Sequence, residues 1–347
     1  MSAYPFAYSE AAKLDPRIKQ PRPPIDASLA PIIDAFPLPE ELDVEFLRGV
    51  AAGDQGEYVC SADTVLQNNT HLKHQEKTIQ SSDGSNVVLS IFAPKDPSGA
   101  SLPAIYHIHG GGMVSGDRFS GVAELISLLD NIECVVVSVE YRLAPETRAP
   151  LPAEDCHAGL VWISENAESL GINTAEIVVL GSSGGGALAA AVCLMARDRQ
   201  FPTVPIKAQM LLSPMLDDRC DSVSDRQFEY GAFWCGVTNR KAWEHALGDD
   251  RGADNVTVYQ SPSRAEDLSN LPPTYIDAAE CEVFRDPAVA FASNMWRSGS
   301  TCELHVWPGA FHLFDGMDNP DVPLIHDAIL AKKAWLRRIM AAVPKAS

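Results

Sequence analysis

The stretch EIVVLGSSGGGALAAAVCLM, residues 176–195, decides the fold predicted for this chain. It opens with an apolar run at 177–180, which predicts a buried strand, and closes with 187–195, which predicts a helix. The junction GSSGGG places Ser183 in the pattern G-x-S-x-G. A tight turn there would expose one serine hydroxyl at the sheet edge, and the N-terminal amides of the following helix would face the same point. The alternative for this stretch alone is a glycine-rich turn without chemistry.

Composition indicates an acidic globular protein. The chain has 347 residues, of which 46% are hydrophobic and 21% charged, and its formal net charge is −19. This length can bury a large core, and we expect one domain with an elaboration. The negative charge argues against nucleic acid and against an anionic membrane surface as partners. The chain has no run of about 18 or more apolar residues, so no membrane-spanning helix is expected.

Two further features predict a cytoplasmic location. The first residues, MSAYPFAYSEAAKLDPRIKQ, lack a basic region followed by an apolar one, so a secretory signal is not expected. The eight cysteines are scattered without C-x-x-C spacing, and several lie in apolar runs, as Cys134 and Cys193 do. This pattern is typical of reduced core residues rather than of a disulfide framework or a zinc site.

Strands and helices alternate from about residue 73 onward. Two strands, 76–80 and 86–92, flank a Ser-Asp-Gly turn and are expected to form an antiparallel edge. Further strands are predicted at 104–109, 133–141, 177–180, 206–212, 273–279 and 302–307, and helices at 119–130, 152–168, 184–198, 286–298 and 322–342. Apolar strands that alternate with helices predict an α/β fold, with a mostly parallel twisted sheet and helices on both faces.

Two stretches lie outside this alternation. Residues 1–55 are rich in proline and carry spaced aromatic residues, with short helices expected around 26–35 and 39–52. The insertion at 215–262 has one expected helix, 238–247, and the aromatic residues Phe228, Tyr230, Phe233, Trp234 and Trp243. Because long insertions are usually functional, we expect both stretches to form a helical cap, with 56–214 and 263–347 as the two parts of the core. The alternative is a surface excursion that packs elsewhere.

A serine nucleophile needs a base, and in this kind of turn the order along the chain is serine, acid, histidine. Four histidines follow Ser183. His245 lies in the insertion, His326 lies near the start of the last helix, and His305 lies inside a predicted strand. His312 follows the carboxyl end of that strand, where ligand chemistry occurs in parallel sheets, and is therefore the predicted base.

The acid is expected beyond the strand at 273–279, where three carboxylates compete. Asp286 is predicted in the first turn of the next helix, where the helix dipole favours it. Glu280 and Glu282 both lie in the loop, and Glu282 has more room to reach His312. In an extended segment these two glutamates would point the same way, so spacing alone does not separate them.

A second glycine-rich segment precedes the nucleophile. The strand that ends at His109 runs into Gly110, Gly111 and Gly112. Consecutive glycines let backbone amides turn toward a ligand, so this segment predicts an oxyanion-binding loop. The alternative is a flexible loop.

Together these motifs resemble the hormone-sensitive-lipase-like carboxylesterases (bacterial family IV) of the α/β-hydrolase fold. The resemblance covers about residue 73 to the C-terminus and rests on HGGG at 109–112, YRLAPE at 141–146, G-x-S-x-G at 181–185 and Phe311-His312. It implies an oxyanion hole formed by the amides of Gly111, Gly112 and Gly184. The family's acid motif D-P-L-R-D falls on 282–286, which puts Glu282 at the acid position.

The chain departs from the family pattern at three positions. One is Glu282, a glutamate where the family motif has aspartate, and the implied mechanism survives this change provided that the longer side chain still reaches His312. Ser182 stands where the family usually has aspartate, and Gly184 where it usually has alanine. Neither change removes a backbone amide, so the implied mechanism survives. YRLAPE is interpreted as a structural turn, with Arg142 and Glu146 as candidate buried ion partners.

The sequence thus predicts a serine carboxylesterase that hydrolyses small to medium acyl esters or lactones through an acyl-enzyme on Ser183. Phe233 and Trp234 of the cap are predicted to contact the substrate. No metal or organic cofactor is implied, and the resemblance makes a homodimer an expectation. A tailoring hydrolase or acyltransferase of secondary metabolism is an alternative, because water and an alcohol compete for the same acyl-enzyme. A non-catalytic receptor on a hydrolase scaffold is disfavoured, because serine, acid and histidine are all present.

Overall fold

The computed structural model describes Arg17, residues 19–35, 42–52, 60–99, 101–130 and 132–317, Asn319 and residues 321–340. Of the expected first part of the cap, residues 1–16, 18, 36–41 and 53–55 lie outside the described residues. The beginning of the helix predicted at 39–52 and the end of the one predicted at 322–342 also lie outside them.

The described strands form one eight-stranded sheet in the order β1-β2-β4-β3-β5-β6-β7-β8. Their bounds are β1 (Leu72–Gln80), β2 (Asn86–Pro94), β3 (Leu102–Ile108), β4 (Val135–Glu140), β5 (Ile172–Ser182), β6 (Ala208–Leu212), β7 (Thr274–Ala279) and β8 (Cys302–Trp307). β2 runs antiparallel to both β1 and β4, and the other neighbouring pairs are parallel. The predicted mostly parallel sheet with an antiparallel edge is confirmed.

Helices occupy most of the segments between the strands. Their bounds are α1 (Ala30–Ala35), α2 (Val44–Ala52), α3 (Ala62–Asn68), α4 (Val122–Leu129), α5 (Leu151–Glu165), α6 (Ala167–Leu170), α7 (Gly184–Arg199), α8 (Val223–Gln227), α9 (Gly236–Leu247), α10 (Arg285–Arg297) and α11 (Pro323–Met340). Within the described residues, none of these helices combines the length and the apolarity needed to cross a membrane.

Both faces of the sheet are covered. In β3, Ala104 and Tyr106 belong to one buried cluster, whereas Ile105 between them belongs to another. The first cluster includes buried side chains of α5, α7 and α10, and the second includes those of α4 and of the end of α11. Because successive residues of a strand point to opposite faces, this division confirms the predicted layer of helices on each side.

The strand order brings two loops together. β3 pairs with β4 on one side and with β5 on the other, so the chain changes direction across the sheet at this strand. The three glycines that start at Gly110 follow β3, and Ser183 follows β5. Parallel neighbours end at the same edge of a sheet, and such a switch point is where ligands bind in open α/β sheets.

Two short helices differ from the prediction. The described structure contains α3 before β1 and α8 inside the interruption between β6 and β7, where only the helix at 238–247 was expected. Ser61 and Ser222 cap them, and each hydroxyl accepts a hydrogen bond from a backbone N–H three residues later. Both helices have seven residues or fewer, which is too short for a readable hydrophobic period, so the capping serines were the available signal.

Candidate active site

Ser183 occupies a strained turn between β5 and α7. Its backbone angles are φ 54° and ψ −120°, and its amide N–H donates to the carbonyl of Leu212 at 2.8 Å. Gly185 packs directly against the end of β3, since a Cβ atom there would lie 2.2 Å from the carbonyl oxygen of Ile108. The glycine after the serine turn is therefore required by close backbone approach. The turn places Ser183 directly after β5, at the carboxyl edge of the sheet.

Three residues predicted from distant parts of the sequence are hydrogen bonded to one another. His312 Nδ1 lies 2.5 Å from Glu282 Oε2, and His312 Nε2 lies 3.1 Å from Ser183 Oγ. All three are almost fully buried, with 3% or less of each residue exposed. Because a carboxylate only accepts, Nδ1 carries the proton toward Glu282, which leaves Nε2 to accept from the serine hydroxyl.

The loop after β7 separates the two competing glutamates. Residues 280–284 form turns rather than an extended segment, so the carboxylates of Glu280 and Glu282 point in different directions. Glu282 faces His312, and its second oxygen accepts the backbone N–H of Ala279 at 2.7 Å. Glu280 instead accepts the N–H of Gly309 at 2.9 Å, which fixes the loop that carries His312.

The other candidates lie away from this group. Asp286 is in the first turn of α10, as predicted, and accepts the N–H of Ser224 at 2.7 Å. His305 lies in β8, where its Nε2 is 3.0 Å from Glu303, and His326 is exposed on α11.

Sequence reasoning missed one neighbour of the site. The ring of Phe284 meets the imidazole of His312 edge-on, with 5.1 Å between centroids and an interplanar angle of 75°. Phe284 is almost fully buried and directly precedes α10. It packs one side of the imidazole with apolar surface and limits the orientations that the ring can adopt. Its place within the acid motif was the available signal.

The glycine loop, residues 110–113, packs against the start of α7. Gly111 and Gly112 have φ values of 98° and 62°, and the carbonyl of Gly111 accepts the N–H of Ser115 at 3.0 Å. A Cβ atom added to Gly184 would lie 2.9 Å from the amide nitrogen of Gly112 and 2.7 Å from that of Met113. The structure thus brings Gly112 and Gly184 together beside Ser183, with Gly111 in the same turn.

The YRLAPE segment supports the glycine loop. Tyr141 stacks on His109 with 4.1 Å between ring centroids, and its hydroxyl donates to the carbonyl of His109 at 2.9 Å. The N–H of Ala144 donates to the carbonyl of Met113 at 2.9 Å. Burial lowers the pKa of His109, so this imidazole stays neutral beside the site. These contacts agree with the interpretation of YRLAPE as a structural turn.

The expectation for the two charged residues of this segment was half wrong. Arg142 is itself partly exposed, but it makes a two-pronged contact with the fully buried carboxylate of Asp155, at 2.7 and 2.8 Å, so one half of this ion pair is buried as expected. Glu146 is exposed and pairs instead with Arg48 of α2 at 2.7 Å. Glu146 lies on the outer side of the turn, within reach of the N-terminal segment.

The two predicted cap residues lie beside the site loops. A Cβ atom on Gly112 would lie 2.5 Å from the indole of Trp234, so this ring rests on the glycine loop. The centroid of the same ring lies 6.3 Å from that of the His312 imidazole, and the ring centroids of Phe233 and Phe311 lie 5.9 Å apart.

The N-terminal segment contacts the insertion at several points. Arg22 donates to the carbonyl of Tyr230 at 2.6 Å and to that of Gln227. The N–H of Leu42 donates to the Thr238 hydroxyl at 2.9 Å. The described parts of both stretches therefore pack on one another near the carboxyl edge of the sheet.

Comparison with known proteins places this geometry in a family. A family model described as alpha/beta hydrolase fold matches residues 105–316. The chain belongs to the α/β-hydrolase family. Esterase LipI of Mycobacterium tuberculosis is 28% identical over 284 residues, which cover 82% of this chain and 86% of LipI. An arylesterase of Saccharolobus solfataricus is 34% identical over 213 residues, covering 61% of this chain and 68% of that protein.

The similarity to a solved structure covers nearly the whole of this chain. A bacterial heroin esterase has a TM-score of 0.80 at 30% identity, and the match covers 92% of this chain and 98% of that one. The resemblance to hormone-sensitive-lipase-like carboxylesterases and the prediction of a carboxylic ester hydrolase are confirmed. The acyltransferase and receptor alternatives are not favoured.

Proposed function

We propose that this α/β-hydrolase hydrolyses small to medium acyl esters or lactones through an acyl-enzyme on Ser183. The observation that carries the proposal is the hydrogen-bonded chain from Glu282 through His312 to Ser183, with contacts of 2.5 and 3.1 Å. A nucleophile, a base and an orienting acid in this order are the groups that acyl transfer requires.

In the first half-reaction, Ser183 Oγ bonds to the ester carbonyl carbon while its proton moves to His312 Nε2. Glu282 stabilises the imidazolium that forms. The carbonyl oxygen gains negative charge, and the amides of Gly111, Gly112 and Gly184 are proposed to receive it, assisted by the positive end of α7. Collapse of the tetrahedral intermediate breaks the bond to the alcohol, which leaves with the proton from His312.

In the second half-reaction, water replaces the alcohol. His312 Nε2 takes a proton from water as the oxygen attacks the acyl carbon, and the same amides receive the oxyanion. The Ser183 ester bond then breaks, the carboxylic acid leaves, and His312 returns the proton to the serine oxygen. The chain supplies each proton acceptor and donor that this cycle needs.

The surroundings of the site favour a compact substrate. Ser183 is only 2% exposed, and Trp234 rests on the glycine loop next to His312. An enclosed, largely apolar site suits a small-molecule ester better than a polymer. We propose Phe233 and Trp234 as substrate contacts.

We propose the division of the chain predicted from the sequence. Residues 1–55 and 215–262 would form the cap, and 56–214 and 263–347 the core. The contacts of Arg22 and Leu42 with the insertion support one shared cap, and the contact of Trp234 with Gly112 supports its position over the site.

Location in the cytoplasm and dimerisation are further parts of the proposal. Cys134 and Cys193 are buried free thiols, which suits a reducing compartment. The edge strand β8 exposes Val306, and the neighbouring α10 exposes Trp296. A second copy that covers this apolar strip would form a homodimer, which sedimentation of the purified protein would detect.

The function is tested with p-nitrophenyl esters graded from acetate to laurate, with a lactone panel alongside. We expect the highest kcat/KM for short and medium acyl chains and no activity above background for Ser183→Ala. Activity that rises toward laurate would refute the compact site. Equal activity in Ser183→Ala would refute the acyl-enzyme. Addition of a small alcohol separates hydrolysis from acyl transfer by the ratio of acid to new ester.

A further inference from the structure

A buried lysine lies between two aspartates behind the proposed site. Lys332 of α11 is 4% exposed, and its Nζ lies 3.2 Å from Asp277 Oδ2 and in close contact with Asp315 Oδ2. We call these three residues the lysine cluster. Its members come from α11, from β7 and from the short 3-10 helix Phe314–Met317.

Asp277 connects the cluster to the nucleophile and to the acid loop. The N–H of Ser213 donates to the backbone carbonyl of Asp277 at 3.0 Å and also to its Oδ1 at 3.2 Å. The carbonyl of the preceding residue, Leu212, accepts the N–H of Ser183. Two residues after Asp277, Ala279 donates its N–H to Glu282. A shift of Asp277 would therefore reach the serine turn through Ser213, and the acid through the backbone of β7.

Asp315 connects the cluster to the histidine. It lies three residues after His312, in the 3-10 helix that closes the loop. At the C-terminal end of the loop, the N–H of Phe314 donates to the carbonyl of Phe311, and the N–H of Gly316 to that of Leu313, both at 3.1 Å. The ammonium group of Lys332 contacts both Asp315 and Asp277, and it thus fixes the distance between the C-terminal end of the loop that carries His312 and β7.

The charges of the cluster do not serve stability alone. Burial disfavours the charged form of Lys332, but Asp277 and Asp315 together outweigh it and hold the pKa of the ammonium above its ordinary value. Burial also disfavours the charged form of Asp277, which for a carboxyl group raises the pKa. Buried ion clusters are often no more stabilising than apolar residues of the same volume, because desolvation offsets the attraction. The cluster therefore contributes directed, fixed geometry that apolar packing would not supply.

We propose that Lys332 is a positioning residue, which sets the distance between His312 and the Ser183–Glu282 side of the site through Asp315 and Asp277. The inference rests on the proposed function of those three residues. A misplacement of reacting groups by about 1 Å costs on the order of 100-fold in rate. Loss of the cluster is thus expected to lower kcat and to leave KM nearly unchanged, since no member touches the substrate.

The test begins with Asp315→Asn, which keeps the shape of the side chain and leaves Lys332 and Asp277 as a neutral pair. We expect kcat to fall about tenfold or more, with KM within about twofold of the wild type and the variant folded at the assay temperature. Asp130→Asn is the matched control, because it removes an exposed ion pair that the same helix makes through Arg337. The control should retain wild-type kcat.

A second variant separates positioning from charge balance. Lys332→Met alone leaves two buried carboxylates uncompensated, so it is combined with Asp277→Asn and Asp315→Asn. We expect this triple variant to recover Tm relative to Lys332→Met and to keep the low kcat. Wild-type kcat in Asp315→Asn, or recovery of kcat in the triple variant, would overturn the inference. Fluorophosphonate labelling of the wild type tests the proposed function separately. A label on Ser183 supports that function whatever the kcat of the variants, whereas the absence of a label on Ser183 would refute it.

Discussion

Gly184→Ala should slow turnover without removing a single reacting group. The backbone amide at 184 remains, and Ser183, His312 and Glu282 are untouched. The new Cβ atom, however, would lie 2.7 Å from the amide nitrogen of Met113 and 2.9 Å from the Cα and amide nitrogen of Gly112. Because ordinary contacts begin at 3.4 Å, the glycine loop or the serine turn must move by 0.5 to 0.7 Å.

The size of that displacement sets the expected effect. A misplacement of about 1 Å costs on the order of 100-fold, and loss of one oxyanion donor costs about 100- to 1000-fold in kcat. We therefore expect a decrease in kcat of about 10- to 100-fold with KM changed by less than about threefold. Alanine is favoured over glycine by about 1 kcal/mol in a helix, so unfolding is not the expected cause.

The assay compares kcat and KM of both proteins on p-nitrophenyl butyrate, with Tm measured alongside. Gly99→Ala is the control, because the nearest atom to its added Cβ would be the carbonyl oxygen of Ser101 at 3.7 Å. The control should match the wild type. Wild-type kcat in Gly184→Ala would refute the idea that the glycine loop is held against the start of α7 at this distance.

Three further predictions concern the acid, the cap and acid stability. Glu282→Gln should lower kcat by about two to four orders of magnitude and Glu280→Gln by less than about tenfold, and a reversed ranking would move the acid to Glu280. Trp234→Ala and Phe233→Ala should shift the preferred acyl chain toward longer esters, and an unchanged chain-length profile would remove both residues from the substrate site. Burial lowers the pKa of His107 from 6.5 to about 3. Between these two pH values the folded chain binds fewer protons than the unfolded chain, so the protein loses stability as the pH falls below 6.5. His107→Asn should therefore flatten the decrease in Tm between about pH 6.5 and 4, and parallel curves for the two proteins would contradict this.

Local patterns were enough to predict most of the scaffold. β8 has the predicted bounds, 302–307, and the strand, serine turn and helix around Ser183 follow from a continuous apolar run next to glycines. Such elements are set by hydrophobic periodicity and by backbone freedom within about ten neighbouring residues. The choice of His312 and of the acid loop followed from the positions of strand ends in a parallel sheet.

Side-chain contacts between distant elements could not be predicted from the sequence. Arg142 was expected to be a buried ion partner, but Asp155 of α5 as its partner, and the exposed place of Glu146, depend on how the layers pack. The two glutamates of the acid loop separate only because the segment turns instead of extending. The contacts of Lys332 join three elements, and no local pattern marks them. Tertiary packing selects such partners, and a single sequence does not contain its geometry.

The most direct test of the central claim is the site of covalent modification by a fluorophosphonate, mapped by peptide mass spectrometry. We expect one label per chain on Ser183, loss of esterase activity in proportion to labelling, and no label in the folded Ser183→Ala variant. A label on Ser182, or full esterase activity in Ser183→Ala, would contradict that claim.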